Sequence, residues 1–187
     1  MNRFPIVLAL ALAAAPLMQG CVPLVAAGAG TAALVATDRR TAGIYLEDEN
    51  IELKALERLH DLPGHVSATS FNRRVLLTGQ VPDEAAKKSV QQAIRTIESV
   101  REVMDETQIA GDSSLASRGS DTLITSNVKA RMIDAARFAP NHVKVVTEAG
   151  VVYLMGIVTH AEADAAVEIA RTTSGVARVV TEFEYLA

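Results

Sequence analysis

From about residue 45 onward, one pattern runs through this 187-residue chain twice. Val75-Leu76-Leu77-Thr78-Gly79-Gln80-Val81 returns as Val152-Tyr153-Leu154-Met155-Gly156-Ile157-Val158, and the two glycines stand 77 residues apart. Upstream, Asp48, Ile51, Ala55 and Leu59 match Asp121, Ile124, Val128 and Met132 in spacing. Downstream, Val100-Arg101-Glu102-Val103 matches Val176-Ala177-Arg178-Val179, with one residue fewer before it in the second copy. A solenoid needs three or more stacked repeats, so two copies mean a tandem of small domains.

Each copy reads as helix, strand, strand, helix, strand. In the second, Ile124, Val128, Met132 and Ala135 recur at helical spacing and predict a helix over Asp121–Arg137. Val143–Thr147 and Val151–Val158 are β-branched runs joined through Glu148-Ala149-Gly150, a hairpin signal. Thr159-His160-Ala161-Glu162 is a capping box that opens the next helix. Ser174-Gly175 ends that helix, and Val176–Leu186 alternates as a strand. In the first copy Pro82-Asp83-Glu84 opens the second helix, with proline suited to a first turn. Residues 111–120, rich in Gly and Ser, have linker composition. Gly79 and Gly156 are read as structural, set where a strand must pack tightly.

The ordered combination of a paired V-x-L-x-G strand, a following helix and a valine-rich closing strand resembles the BON domain (bacterial OsmY and nodulation). That resemblance implies an α+β fold of two tandem BON domains. Each would be an αββαβ sandwich with a small mixed three-stranded sheet and two helices. The boundaries read as 44–110 and 121–187, with 111–120 between them.

The N-terminus raises a separate question, because residues 4–37 carry no charge. Met1-Asn2-Arg3 is a short positive start, and Ile6–Leu17 is a twelve-residue apolar run. As a helix it would rise roughly 18 Å, against about 30 Å of bilayer core, which suits a signal sequence better than a span. Pro16, Gly20, Pro23, Gly28 and Gly30 also disfavour one continuous membrane helix. Gly28-Ala29-Gly30 is no dinucleotide fingerprint, since no strand precedes it. Leu17-Met18-Gln19-Gly20-Cys21 resembles the bacterial lipoprotein signal, although Met18 and Gln19 replace the favoured Leu and Ala or Ser. The resemblance implies that residues 1–20 are removed. Cys21 then becomes the lipidation site, carrying acyl chains such as palmitate, and residues 21–43 form a lipidated tether. Val22 in place of Asp implies transfer to the outer membrane, facing the periplasm. An ordinary buried thiol and a membrane helix are the competing readings of this segment.

Chemistry is hard to place anywhere else. Cys21 is the single cysteine, which excludes an intramolecular disulfide. His60, His65, His142 and His160 are scattered, and none has metal-ligand spacing. Ser113-Ser114 lies in the linker without a nucleophile motif, and the pairs Asp48-Glu49 and Glu162/Asp164 suit helix N-termini. No catalytic residue, cofactor or metal is expected. A formal charge of −4 gives no electrostatic reason to bind nucleic acid.

One helix stands out. Thr122–Arg137 holds Lys129, Arg131 and Arg137 against Asp134 alone. At 100° per residue, Leu123, Ser126, Asn127, Ala130 and Ile133 fall on an arc away from the core stripe, flanked by Lys129 and Arg137. Aliphatics bordered by cations suit the boundary between headgroups and acyl chains. The family resemblance implies the same: the first helix of the second BON domain in dual-BON outer-membrane lipoproteins binds anionic phospholipid, supporting envelope integrity and marking division sites. Those relatives carry Trp where Leu123 stands. The helix of the first copy carries Glu49, Glu52 and Glu57 against Lys54 and Arg58, so an anionic leaflet should repel it. The alternative reading is an OsmY-type periplasmic protein-interaction or chaperone-like module without lipid recognition.

Overall fold

The computed structural model describes residues 38–186; the expected signal peptide, Cys21 and most of the tether lie outside them. The first repeat contains α1 (Ala42–Leu59), β1 (His65–Phe71), β2 (Arg74–Val81), α2 (Glu84–Arg95) and β3 (Glu102–Asp105), followed by a short β4 (Gln108–Ile109). The second contains α3 (Leu115–Ala135), β5 (Val143–Glu148), β6 (Val151–Val158), α4 (His160–Arg171) and β7 (Arg178–Tyr185). In each sheet the middle strand, β2 or β6, runs antiparallel to its hairpin partner and parallel to the closing strand. This is the expected αββαβ unit, twice, with β4 added parallel to β2 in the first sheet.

Local chemistry sets the helix starts. Thr41, Asp83 and Ser114 cap α1, α2 and α3 through their side-chain oxygens, and Thr159 with Glu162 forms a reciprocal capping box on α4. Pro82 stands one residue ahead of the Asp83 cap, outside the first turn. The Ser114 cap also changes the reading of the linker: Leu115–Ser120 are helical, and Gly119 is absorbed in the helix interior at a cost of about 1 kcal/mol. At the other end α3 stops at Ala135, because Ala136 turns left-handed at φ 48°. Ala135 is therefore exposed and does not join the core stripe.

Two cores follow the repeats. Ile51, Ala55, Val75, Leu77, Val81, Val90 and Ile94 pack in the first, and Ile124, Val128, Met132, Val152, Leu154 and Val158 in the second. A third cluster belongs to both repeats: Phe71, Leu76 and Met104 pack with Val151, Tyr153 and Met155. Each middle strand thus sends alternate side chains to its own helices and to the other repeat's sheet. That is why Val75–Val81 and Val151–Gly156 are buried without a break. Polar contacts frame this seam, including Lys144 Nζ to Glu52 Oε1 (2.6 Å), Gln80 Nε2 to Glu148 Oε1 (2.7 Å) and Asn72 Nδ2 to Glu184 Oε1 (2.8 Å). Both repeats fall within one compact unit.

The repeated glycines sit at equivalent register positions, Gly79 opposite Val66 and Gly156 opposite Val143. A Cβ at Gly79 would lie 2.0 Å from the His65 carbonyl oxygen, and one at Gly156 would lie 2.3 Å from that of His142. Gly79 also holds φ at +114°. Both glycines are structural. Gly79→Ala should lower the urea midpoint more than Gly156→Ala, by about 2–4 kcal/mol of stability, because it adds backbone strain to the clash.

Asp48 and Asp121 are the other matched pair, and neither sits at a helix N-terminus. Asp48 lies in the second turn of α1, buried, and accepts the backbone N–H groups of Asn72 (2.8 Å) and Arg73 (2.7 Å) and the Ser70 hydroxyl (2.7 Å). Asp121 accepts the N–H groups of Ala149 (3.0 Å) and Gly150 (2.8 Å). Each repeat therefore uses one buried carboxylate of its first helix to hold its own hairpin turn.

The end of the expected tether is part of the fold. Residues 38–40 bind both repeats before α1 begins. Arg39 grips Glu162 with two bonds (2.6 and 2.9 Å) and donates to the Ile157 carbonyl (2.7 Å). Arg40 lies between the rings of Tyr45 and Phe71 (4.9 and 4.1 Å) and pairs with Asp38 and Asp48. Burial would raise the Asp38 pKa, but the Arg40 guanidinium holds it below the usual range. Arg39 holds Glu162 down at about 2, helped by Thr159 and His142. A depressed carboxylate contributes stability above its unfolded pKa and loses it as pH falls through the folded one. The stability difference between the wild type and Glu162→Gln should be constant near pH 6 and should shrink between about 4.5 and 2 in urea titrations.

Candidate membrane-facing helix

α3 is fixed to the body along one face. Asp121, Ile124, Val128 and Met132 are buried, and the Thr125 and Thr147 hydroxyls bond at 2.7 Å. Arg131 reaches the last turn of α4, donating to the Ile169 carbonyl (2.9 Å) and to the hydroxyls of Thr173 (2.6 Å) and Thr172 (3.0 Å). It is therefore a clamp between helices, and because its acceptors are neutral it keeps its charge at the surface while its guanidinium is tied down, in contrast to Lys129 and Arg137.

The outer face is open. Leu123 and Ile133 are 66% and 59% exposed, and Ser126, Asn127, Lys129 and Ala130 are exposed on the same helix. Arg137 is exposed too, but it lies past the left-handed Ala136 that ends α3, so the helix expected over Asp121–Arg137 stops short of it. Neither Lys129 nor Arg137 forms a hydrogen bond or ion pair among the described residues. Desolvation by surrounding protein and the nearby Lys144 ammonium lower the Lys129 pKa. The hydroxyls along this helix turn back on it: Ser126 donates to the Thr122 carbonyl (2.9 Å) and Thr122 to that of Arg118 (3.0 Å). Polar groups already satisfied within the helix lose less on entering a poorly hydrated layer.

Apolar exposure by itself does not single out α3. On α1, Leu46, Leu53 and Leu56 are 62%, 66% and 70% exposed, a stripe that the charge-centred sequence reading overlooked. Its seven-residue and three-residue spacings place these leucines on one side of the helix, and that spacing was the available signal. What separates the two helices is charge. α1 carries Glu47, Glu49, Glu52 and Glu57 outside its core against Lys54 and Arg58, so its surface is acidic.

The histidines occupy unrelated places. His60 pairs with the neighbouring Asp61, His65 lies 3.3 Å from Arg118, His142 contacts Glu162, and His160 stacks on Tyr185. Among the described residues, no group of three His, Cys, Asp or Glu side chains could hold a metal ion, and no helix is long and apolar enough to cross a membrane.

The sequence profile of the BON domain matches residues 47–111 and 120–187. The chain belongs to the BON-domain family. It is 40% identical to the outer membrane lipoprotein DolP of Haemophilus influenzae, across 96% of this chain and 95% of that protein. It is 30% identical to the 21 kDa hemolysin of Actinobacillus pleuropneumoniae, over 80% and 79% of the two chains. Osmotically-inducible protein Y of Escherichia coli is 29% identical, over 76% and 74%. Among solved structures, the C-terminal domain of CdsD, a Type III secretion protein of Chlamydia trachomatis, covers 72% of this chain and 96% of its own at a TM-score of 0.32 and 12% identity, too distant to carry an argument. This BON protein is an outer-membrane lipoprotein of the family.

Proposed function

We propose that this BON protein is acylated at Cys21 and uses the outer face of α3 to bind anionic phospholipid, without catalytic turnover. The observation that carries the reading is an aliphatic pair, Leu123 and Ile133, left outside the core on a helix that carries Lys129 and is followed by Arg137, two cations without an ion pair among the described residues. Burying each aliphatic in the acyl boundary contributes about 1.5–3 kcal/mol, and each cation near an anionic surface about 1 kcal/mol. In this reading the first repeat is scaffold, and the protein supports envelope integrity, with recruitment to division sites as the kinship with DolP suggests.

Flotation of the fragment beginning at Asp38 tests this. It should be recovered with phosphatidylglycerol-containing vesicles, and recovery should fall with added salt. Equal recovery with neutral and anionic vesicles would remove the electrostatic half, and no recovery with either would remove the reading.

One observation favours a second reading, a protein-interaction module of the OsmY type: the exposed leucines of α1 on an acidic helix. An unfolded client that binds the fragment, is released by Leu53→Glu and never competes with vesicles would support it.

A further inference from the structure

Residues 38–40 form a clasp on both repeats just before α1. We propose that Arg39 fixes the anchor's root beside the C-terminal end of α3, so that the acylated N-terminus and the α3 face engage the same leaflet. This rests on the lipid reading above and adds a geometry to it.

Bonded neighbours connect Arg39 to the end of α3. Arg39 holds Ile157 and Glu162, both of the second repeat, although α1 of the first repeat begins only three residues later. Glu162 Oε1 in turn lies 3.2 Å from His142 Nδ1. His142 closes the short 3-10 turn Pro140–His142 that follows α3, and Arg137 stands five residues before it. The chain therefore enters the fold at the pole where α3 ends and where Arg137 lies. Without Arg39, the hydrogen bonds and ring contacts of residues 38–40 among the described residues run through Arg40 to the first repeat's Asp48, Tyr45 and Phe71, and the second repeat is met only by the charge of Asp38 facing His142.

Reach then favours the anchoring membrane. Seventeen peptide units separate Cys21 from Asp38, so the anchor cannot stand more than roughly 60 Å from that pole, whatever path the chain takes. An intramolecular encounter at such separation has an effective concentration that a second membrane does not match.

The full acylated chain tests this when reconstituted in vesicles containing phosphatidylglycerol. Thr122→Cys supplies a labelling site for an environment-sensitive fluorophore, because Cys21 is acylated and is the single cysteine. A second population of protein-free phosphatidylglycerol vesicles is then added. The expected result is a blue shift in the protein-bearing vesicles before that addition, absent in neutral ones, with no clustering afterwards. Arg39→Ala should reduce the shift at least twofold, and Glu162→Gln should move it in the same direction, with circular dichroism confirming that both variants fold. Clustering that Leu123→Glu abolishes would overturn the proposal, since the face would then be reaching another membrane. No shift and no clustering, while the Asp38 fragment still floats, would overturn it too. An unaltered shift in both Arg39→Ala and Glu162→Gln would remove the role of the clasp. Failure of the Asp38 fragment to float would instead sink the lipid reading, and this geometry with it.

Discussion

Asp48→Ala should be the most damaging single exchange in the first repeat, lowering stability by about 3–5 kcal/mol in urea unfolding. The carboxylate serves three groups of the β1–β2 turn and the Arg40 guanidinium at once. The turn is demanding. Asn72 and Arg73 both hold positive φ, 52° and 64°, the combination that favours Asn-Gly in tight hairpins. An arginine in the second place is held there by the charge that its N–H meets. Removing the carboxylate also strips a nearly buried arginine, 7% exposed, of one of its two anionic partners. Asp121→Ala should cost less, about 2 kcal/mol, because its turn has Gly150 in the second place and no arginine bonds to the carboxylate. If the two variants unfold at the same urea concentration, the turn-strain explanation fails.

The second large effect is expected on binding. Leu123→Glu and Ile133→Glu should each reduce vesicle partitioning about 100-fold. Each removes one buried aliphatic contact and sets a like charge against the headgroups, together roughly 3 kcal/mol. The melting temperature should hardly move, because both side chains already face solvent. Lys129→Gln and Arg137→Gln should act more gently, about fivefold each, and high salt should erase their effect. If both glutamate variants still float, this face is not the binding surface. Clamp and face can also be told apart: Arg131→Gln should lower stability by loosening α3 from α4, while changing partitioning little.

Much of this was legible in the sequence because periodicity reports burial. The spacing of Ile124, Val128 and Met132 fixed one face of α3, and by exclusion it fixed the other, with Leu123 and Ile133 outside. What stayed hidden involved partners distant in sequence. Asp48 and Asp121 were visibly equivalent, yet their task depends on turn amides more than twenty residues away. The clamping role of Arg131, a cation at the surface, was hidden because its acceptors lie at the end of α4. Composition misled at Leu115–Ser120, where a single capping serine outweighed the Gly and Ser content. Arg39 and Arg40, adjacent and alike on paper, are pulled to different repeats.

The lack of alternation in the two middle strands has a consequence for how such a protein can arise and be dissected. A unit cut from its sibling would present Leu76 and Met104, or Tyr153 and Met155, to water as a flat sticky plate. Duplication therefore did more than lengthen an ancestor: each half now serves as the lid of the other. A fragment carrying one half alone should therefore be poorly soluble, whatever its affinity for membranes.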